Sequence, residues 1–194
     1  EGRILEMLKK QLGADRFWAS IRRYLTRHAY GNATSDDLRQ AVLDATGEDL
    51  DWFWSQWIYR AGYPAFSVTS AWDSSAGALT LSVRQTQIDT ATADSTGHRF
   101  ETPLAFRAPL AIRVGTASAA TVVRTVIDGR EQTITIGGIM TAPTMVVFDA
   151  ENAVLKTYGA YPVAQPFGVD RSLGFSVASV FVPWQNVVII AVSV

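Results

Sequence analysis

The stretch DLDWFWSQWIYRAGYP, Asp49–Pro64, constrains this chain more than any other, because the sequence before it has helical spacing and the sequence after it alternates like strands. On a helical wheel Leu50, Phe53, Trp54, Trp57 and Ile58 share one broad stripe, with Trp52 and Tyr59 roughly opposite. Aromatic side chains on both sides predict a helix wedged between two layers. Asp49 is suited to cap the first turn, Gly62 to end the helix in a left-handed conformation, and Pro64 to forbid its continuation.

Upstream, Ile4, Leu5, Leu8 and Leu12 form one apolar stripe, closed at Gly13. A second helix starts at Asp15, with Phe17, Trp18, Ile21, Tyr24, Leu25 and His28 as its stripe, and Arg22, Arg23 and Arg27 facing elsewhere. Gly31 and Asn32 break it. Thr34 followed by Asp37 is a variant capping box, and Leu38, Ala41, Val42 and Ala45 carry a third helix to Gly47. Short connections between four helices imply antiparallel neighbours.

Downstream, Phe66, Val68, Ser70 and Trp72, then Leu79, Leu81 and Val83, alternate as half-buried strands joined through a turn at residues 73–77. The polar run Thr86–Phe100 predicts a long loop or a ragged edge strand. Leu104, Phe106, Leu110, Ile112 and Val114 keep one parity across Pro109, predicting a long strand bent or bulged there. Val122–Ile127 and Arg130–Ile136 flank Asp128-Gly129, the signature of a type I′ hairpin. Thr144–Phe148 adds a further strand. The fold class is therefore α+β, a helical segment followed by an antiparallel β-sandwich of six or seven strands.

Composition narrows the function. With 48% apolar residues over 194 positions the chain builds a core. Its 17 basic and 18 acidic residues leave a net charge of −1, which gives no electrostatic case for nucleic acid or an anionic membrane. Having no cysteine excludes disulfides, thiolate metal sites and a cysteine nucleophile. The opening EGRILEMLKK has helix periodicity and reads as the interior of a protein rather than a leader. Gly174–Val194 is uncharged over a membrane-spanning length, but Pro183, Gln185 and Asn186 interrupt it and no basic cluster flanks it, which favours buried strands or a segment packed on a partner.

No catalytic, cofactor-binding or metal-binding residue is assigned. A zinc site needs about three protein ligands, and the chain has two histidines, His28 at a helix end and His98 in a polar loop. His28 reads as a satisfied, half-buried imidazole and His98 as solvated. Nucleophile elbows and glycine-rich phosphate loops are absent. Asp36 and Asp37 point in different directions and read as capping groups, not an acid–base pair. The basic face of Arg22, Arg23 and Arg27 reads as solvated surface. Asn32-Ala33-Thr34 fits a glycosylation sequon, a weak match. The tryptophans read as core rather than a ligand platform.

Three stretches together resemble the M1 family of zinc aminopeptidases, the gluzincin group. They are the opening G-x-x-x-L-x-M-L, Tyr24 with the run Ala33–Leu38, and Trp57 followed by Gly62-Tyr63-Pro64. The likeness continues more weakly through the strands to VVFDAENAVLKT at Val146–Thr157. The resemblance implies that residues 1–62 are the helical tail of a thermolysin-like catalytic domain, that 63–157 form an immunoglobulin-like β-sandwich, and that 158–194 lie beyond the likeness. It places the zinc motif HExxH, the distal glutamate ligand, the G-x-M-E-N motif and the intermediate-stabilising tyrosine upstream of Glu1. It therefore implies zinc and peptide substrates for a parent protein, with the upstream catalytic domain as this segment's partner. A non-catalytic interaction module of the same fold is the alternative.

Overall fold

The structure is a computed structural model that describes residues 2–88, 92–93, 96–97, 99–158 and 188–190. It divides into two compact units, Glu1–Tyr63 with Ile88–Pro103, and Pro64–Gln87 with Leu104–Val194.

The first unit holds α1 (Gly2–Leu12), α2 (Ala14–Arg27), α3 (Ser35–Thr46) and α4 (Asp51–Trp57), with a two-residue antiparallel pair, β3 (Thr92–Ala93) and β4 (Arg99–Phe100). Gly13, at φ 81°, closes α1 through its N–H to the Lys9 carbonyl and starts α2 in the next residue. α2 packs on both α1 and α3. Met7, Leu8, Leu12, Phe17, Ala41 and Val42 are buried between helices, and each such side chain contributes about 1.5–3 kcal/mol by leaving water. The expected stripes hold only in part, since Leu5, Trp18 and Leu25 are exposed while Ser20 is fully buried. Ser20 is satisfied by donating its hydroxyl to the Arg16 carbonyl at 2.8 Å.

The tryptophan-rich helix is shorter than its spacing predicts. α4 begins after Leu50, and Asp49 instead accepts the Asp51 N–H at 2.8 Å. It ends at Trp57, because the Trp54 carbonyl takes the N–H groups of both Ile58 and Tyr59, and the Ala61 N–H is drawn to the Glu101 carbonyl. Leu50, Phe53, Trp54 and Trp57 are buried as expected, but Tyr59 is exposed and Trp52 half-buried, so the second aromatic face is only partly covered. Gly62 lies beyond the helix at φ 83°, and a Cβ there would come within 2.8 Å of the Thr102 side chain. Left-handed backbone and close approach together demand glycine.

The second unit contains two four-stranded sheets. β1 (Ala65–Asp73), β2 (Ala78–Gln85), β7 (Glu131–Gly137) and β9 (Thr157–Tyr158) form the first, in the order β7-β2-β1-β9. β5 (Ala108–Gly115), β6 (Ala120–Ile127), β8 (Met145–Phe148) and β10 (Val188–Ile190) form the second, in the order β10-β8-β5-β6. All pairings are antiparallel except the short β1–β9 contact. Alternation sets the register: Val68 faces Val83, Ser70 faces Leu81, and Trp72 faces Leu79. Phe66 of one sheet and Phe148 of the other meet edge to face at 5.2 Å, both fully buried, so the sheets share a core. The chain is thus α+β, with its strands in two layers.

Two strand expectations are corrected. The Asp128-Gly129 hairpin does not form: β6 pairs with β5 in one sheet and β7 with β2 in the other. A type I′ turn needs positive φ at both central residues, and neither Asp128 nor Gly129 has it. The dipeptide instead carries the chain from one layer to the other. The long strand through Pro109 begins only at Ala108, which puts the proline second in β5, where a missing N–H is tolerated. Residues 104–107 are irregular because Gln85 claims their backbone. Fully buried, its amide accepts from Phe106 N and donates to Phe106 O, both at 2.8 Å, and to Gly129 O at 3.1 Å.

β8 runs into a loop that seals an ion pair. Asp149 and Asn152 adopt positive φ (54° and 47°), which turns the Asp149 carboxylate inward. It accepts from Ala153 N at 2.7 Å, Val154 N at 3.1 Å and Lys156 Nζ at 2.5 Å, and neither charged side chain has any exposed surface. Gly174–Val194 lies outside the described residues except for 188–190, which pair with β8. Among the described residues no helix is long and apolar enough to cross a membrane.

Candidate functional site

The motif-bearing residues of the first unit converge at the N-terminus of α3. Thr34 is extended and forms the predicted capping box: its Oγ1 accepts the Asp37 N–H, while its own N–H and hydroxyl each donate to Asp37 Oδ2 at 2.8 Å. The two hydrogen bonds from Thr34 hold the Asp37 carboxyl below the usual aspartate value. Asp36 does not cap. Its Oδ1 takes Arg39 Nε at 2.9 Å and the Tyr59 hydroxyl at 3.0 Å, which hold its pKa down, with Arg39 the larger cause. Burial first, and then donation to Asp36, push the Tyr59 hydroxyl up.

α4 is tied to the same place. Trp54 donates its indole N–H to the Ser35 carbonyl at 2.9 Å, and Arg39 also pairs with Asp51 at the start of α4. The A-T-S-D-D-L run and the tryptophan stretch are therefore two halves of one bracket holding α3 against α4. The remaining charges brace α2 against the far half of α3. Arg27 and Arg23 reach Asp44 at 2.8 and 3.4 Å, and Arg16 reaches Glu48 at 2.8 Å. The basic face is thus partly an interhelical ion-pair seam. Because these pairs stand in solvent, each fixes geometry more than it adds stability.

His28 sits beside this bracket with Nε2 3.7 Å from Asp37 Oδ1, and that nitrogen is buried without a hydrogen-bond partner. The reading of His28 as a satisfied imidazole is corrected: Asp37 is already committed to Thr34. His98 lies outside the described residues. Among the described residues no three or more of His, Cys, Asp and Glu gather as a metal-binding group. Those residues do not fit zinc, and no reaction step is derived through a metal here. Phe53, Trp54 and Trp57 are at most 6% exposed and stack on one another, so they present no platform to a ligand. Asn32 is exposed in the loop between α2 and α3, but Thr34 of that sequon is spent on the cap.

Sequence reasoning missed Gln85 and the Asp149–Lys156 pair. Their only signal is polarity at the edge of apolar runs, which does not distinguish a buried bridge from a solvated turn.

What this arrangement does chemically is position helices. The comparisons with known proteins agree with that assignment. The model of the Peptidase family M1 domain matches residues 2–57, which span α1 through α4. The Tricorn protease-interacting factor F2 of Thermoplasma volcanium is 40% identical over 65 residues, covering 34% of this chain and 8% of that protein. An aminopeptidase N of Lactococcus lactis subsp. lactis is 30% identical over 102 residues, 53% of this chain and 11% of that one. The crystal structure of Legionella pneumophila aminopeptidase A in complex with aspartic acid superposes with a TM-score of 0.62 at 17% identity, covering 82% of this chain and 17% of that one, and so speaks for the fold. The chain thus spans about a tenth of the length of these curated relatives. With the family's domain matched across all four helices, the chain belongs to peptidase family M1.

Proposed function

We propose that this chain is the C-terminal portion of an M1 zinc metalloaminopeptidase and serves it as a scaffold without the zinc site. In this reading residues 1–62 are the helical tail of the catalytic domain, 63–157 the immunoglobulin-like sandwich that follows, and 158–194 a segment of unassigned role. The parent removes N-terminal amino acids from peptides, and its zinc is held by the upstream catalytic domain, this segment's partner. The observation that carries the reading is the match of the family domain to residues 2–57, where the described residues build a helix bracket and no metal-donor cluster. A bracket of this kind matters to rate because small displacements near a catalytic centre are costly.

Zinc content and turnover of aminoacyl reporters, measured on the 194-residue chain and on the full reading frame, test it. The scaffold reading expects stoichiometric zinc and turnover only in the full protein. Tight zinc or clear turnover in this chain alone sinks it. A full reading frame without HExxH upstream sinks the peptidase reading and leaves the interaction module of the same fold.

A further inference from the structure

α2 carries two apolar faces, and only one is used. Phe17 and Ser20 are buried among the helices, whereas Trp18 and Leu25, seven residues apart and so on one side of the helix, are 51% and 61% exposed. The ridge continues onto α1, because Lys9 reaches across to lie 5.5 Å from the centre of the Trp18 ring. Leu5, one turn before Lys9 on the same face of α1, is exposed as well. Past the C-terminal end of α2, Tyr30 is fully exposed at φ 61°, a conformation bulky side chains rarely adopt. An uncovered apolar strip of this length on one helix pair is the mark of an interaction face rather than of scattered surface residues.

We infer that the strip Leu5–Trp18–Leu25 is the seat of the rest of the M1 catalytic domain, contributed by the same polypeptide. The inference rests on the reading of this chain as part of a longer M1 peptidase. Two observations select that occupant. The family model assigns these very helices to a larger domain, and the relatives carry roughly ten times the length aligned here. The rim chemistry further describes the occupant: Lys9 and Arg22 flank the strip, so the face that meets it is apolar with acidic residues at its border.

Hydroxyl-radical footprinting read by mass spectrometry, on this chain and on the full-length protein, tests the assignment. Trp18 and Leu25 are expected to oxidise readily in this chain and about tenfold more slowly in the full protein, since the centre of a packed interface excludes water. Equal rates in both overturn the inference. Protection that arises in this chain alone, together with a dimer in sedimentation, also overturns it, because the occupant is then a second copy. The double variant Trp18→Ser, Leu25→Ser gives an independent readout: it is expected to leave the unfolding midpoint of this chain unchanged and to lower that of the full protein. A full protein that protects Trp18 yet shows no peptidase activity defeats the proposed function and supports this face. An active full protein with Trp18 unprotected does the reverse.

Discussion

In the helical unit the ion pairs lie in solvent and the largest apolar side chains are divided between the interior and the surface. In the strand unit one ion pair is wholly enclosed, and Phe66, Leu79, Leu81, Phe106, Ile112 and Phe148 have no exposed area. The helices are positioned by exchangeable surface contacts and have a face left to offer. The sheets have closed on themselves. The contrast is what separates a part built to be completed by something else from a part built to stand as its own core.

Three substitutions probe that contrast, in descending order of effect. Lys156→Met strands the Asp149 carboxylate in the interior, and losing one partner of a buried pair costs about 3–5 kcal/mol. Urea unfolding is expected to show a large drop in midpoint. A drop below about 1 kcal/mol would place the pair among surface pairs and erase the difference between the units. In the helical unit, Trp54→Phe keeps most of the apolar volume but leaves the Ser35 carbonyl without its indole donor. A loss of about 1–3 kcal/mol is expected, read as a lower helical melting midpoint by far-ultraviolet circular dichroism.

Thr34→Ala is the mildest of the three, at about 1 kcal/mol for an exposed cap. Its pH dependence sharpens the comparison. The folded pKa values of Asp36 and Asp37 are depressed, so their contribution is complete above the ordinary aspartate value of about 3.9 and is lost as pH falls through the lowered folded values. The unmodified chain should therefore lose helical stability on acidification below pH about 4, and Thr34→Ala should flatten the part of that loss that Asp37 supplies. A helical unit indifferent to pH in that range would remove the capping box from the account.

How much of this was legible in the sequence depended on the range of the forces involved. The period of Leu8, Leu12, Phe17, Ala41 and Val42 gave the helices, because helix partners lie within four residues. The Thr34–Asp37 box was readable for the same reason. Which apolar face of α2 is covered was not readable, since Phe17 and Trp18 are equally apolar and only the neighbours choose between them. The Asp128-Gly129 misreading has the same origin. A local turn signal favoured pairing β6 with β7, but each strand found a better partner elsewhere, β5 and β2, and turn chemistry is weak against a full ladder. Asp149 and Lys156 become partners only through two left-handed residues between which no sequence period exists.

The passage of the chain between layers at residues 128–130 has a kinetic consequence. Strands that follow one another in sequence end in different sheets, so β7 cannot form until β1 and β2 are already placed, and β6 cannot form until β5 is. Assembly of this half must wait for distant segments to find each other, which is slow relative to helix formation. During synthesis the helices would be complete while the strands were still searching, so the order in which the two halves mature is set by where one short turn chose to cross.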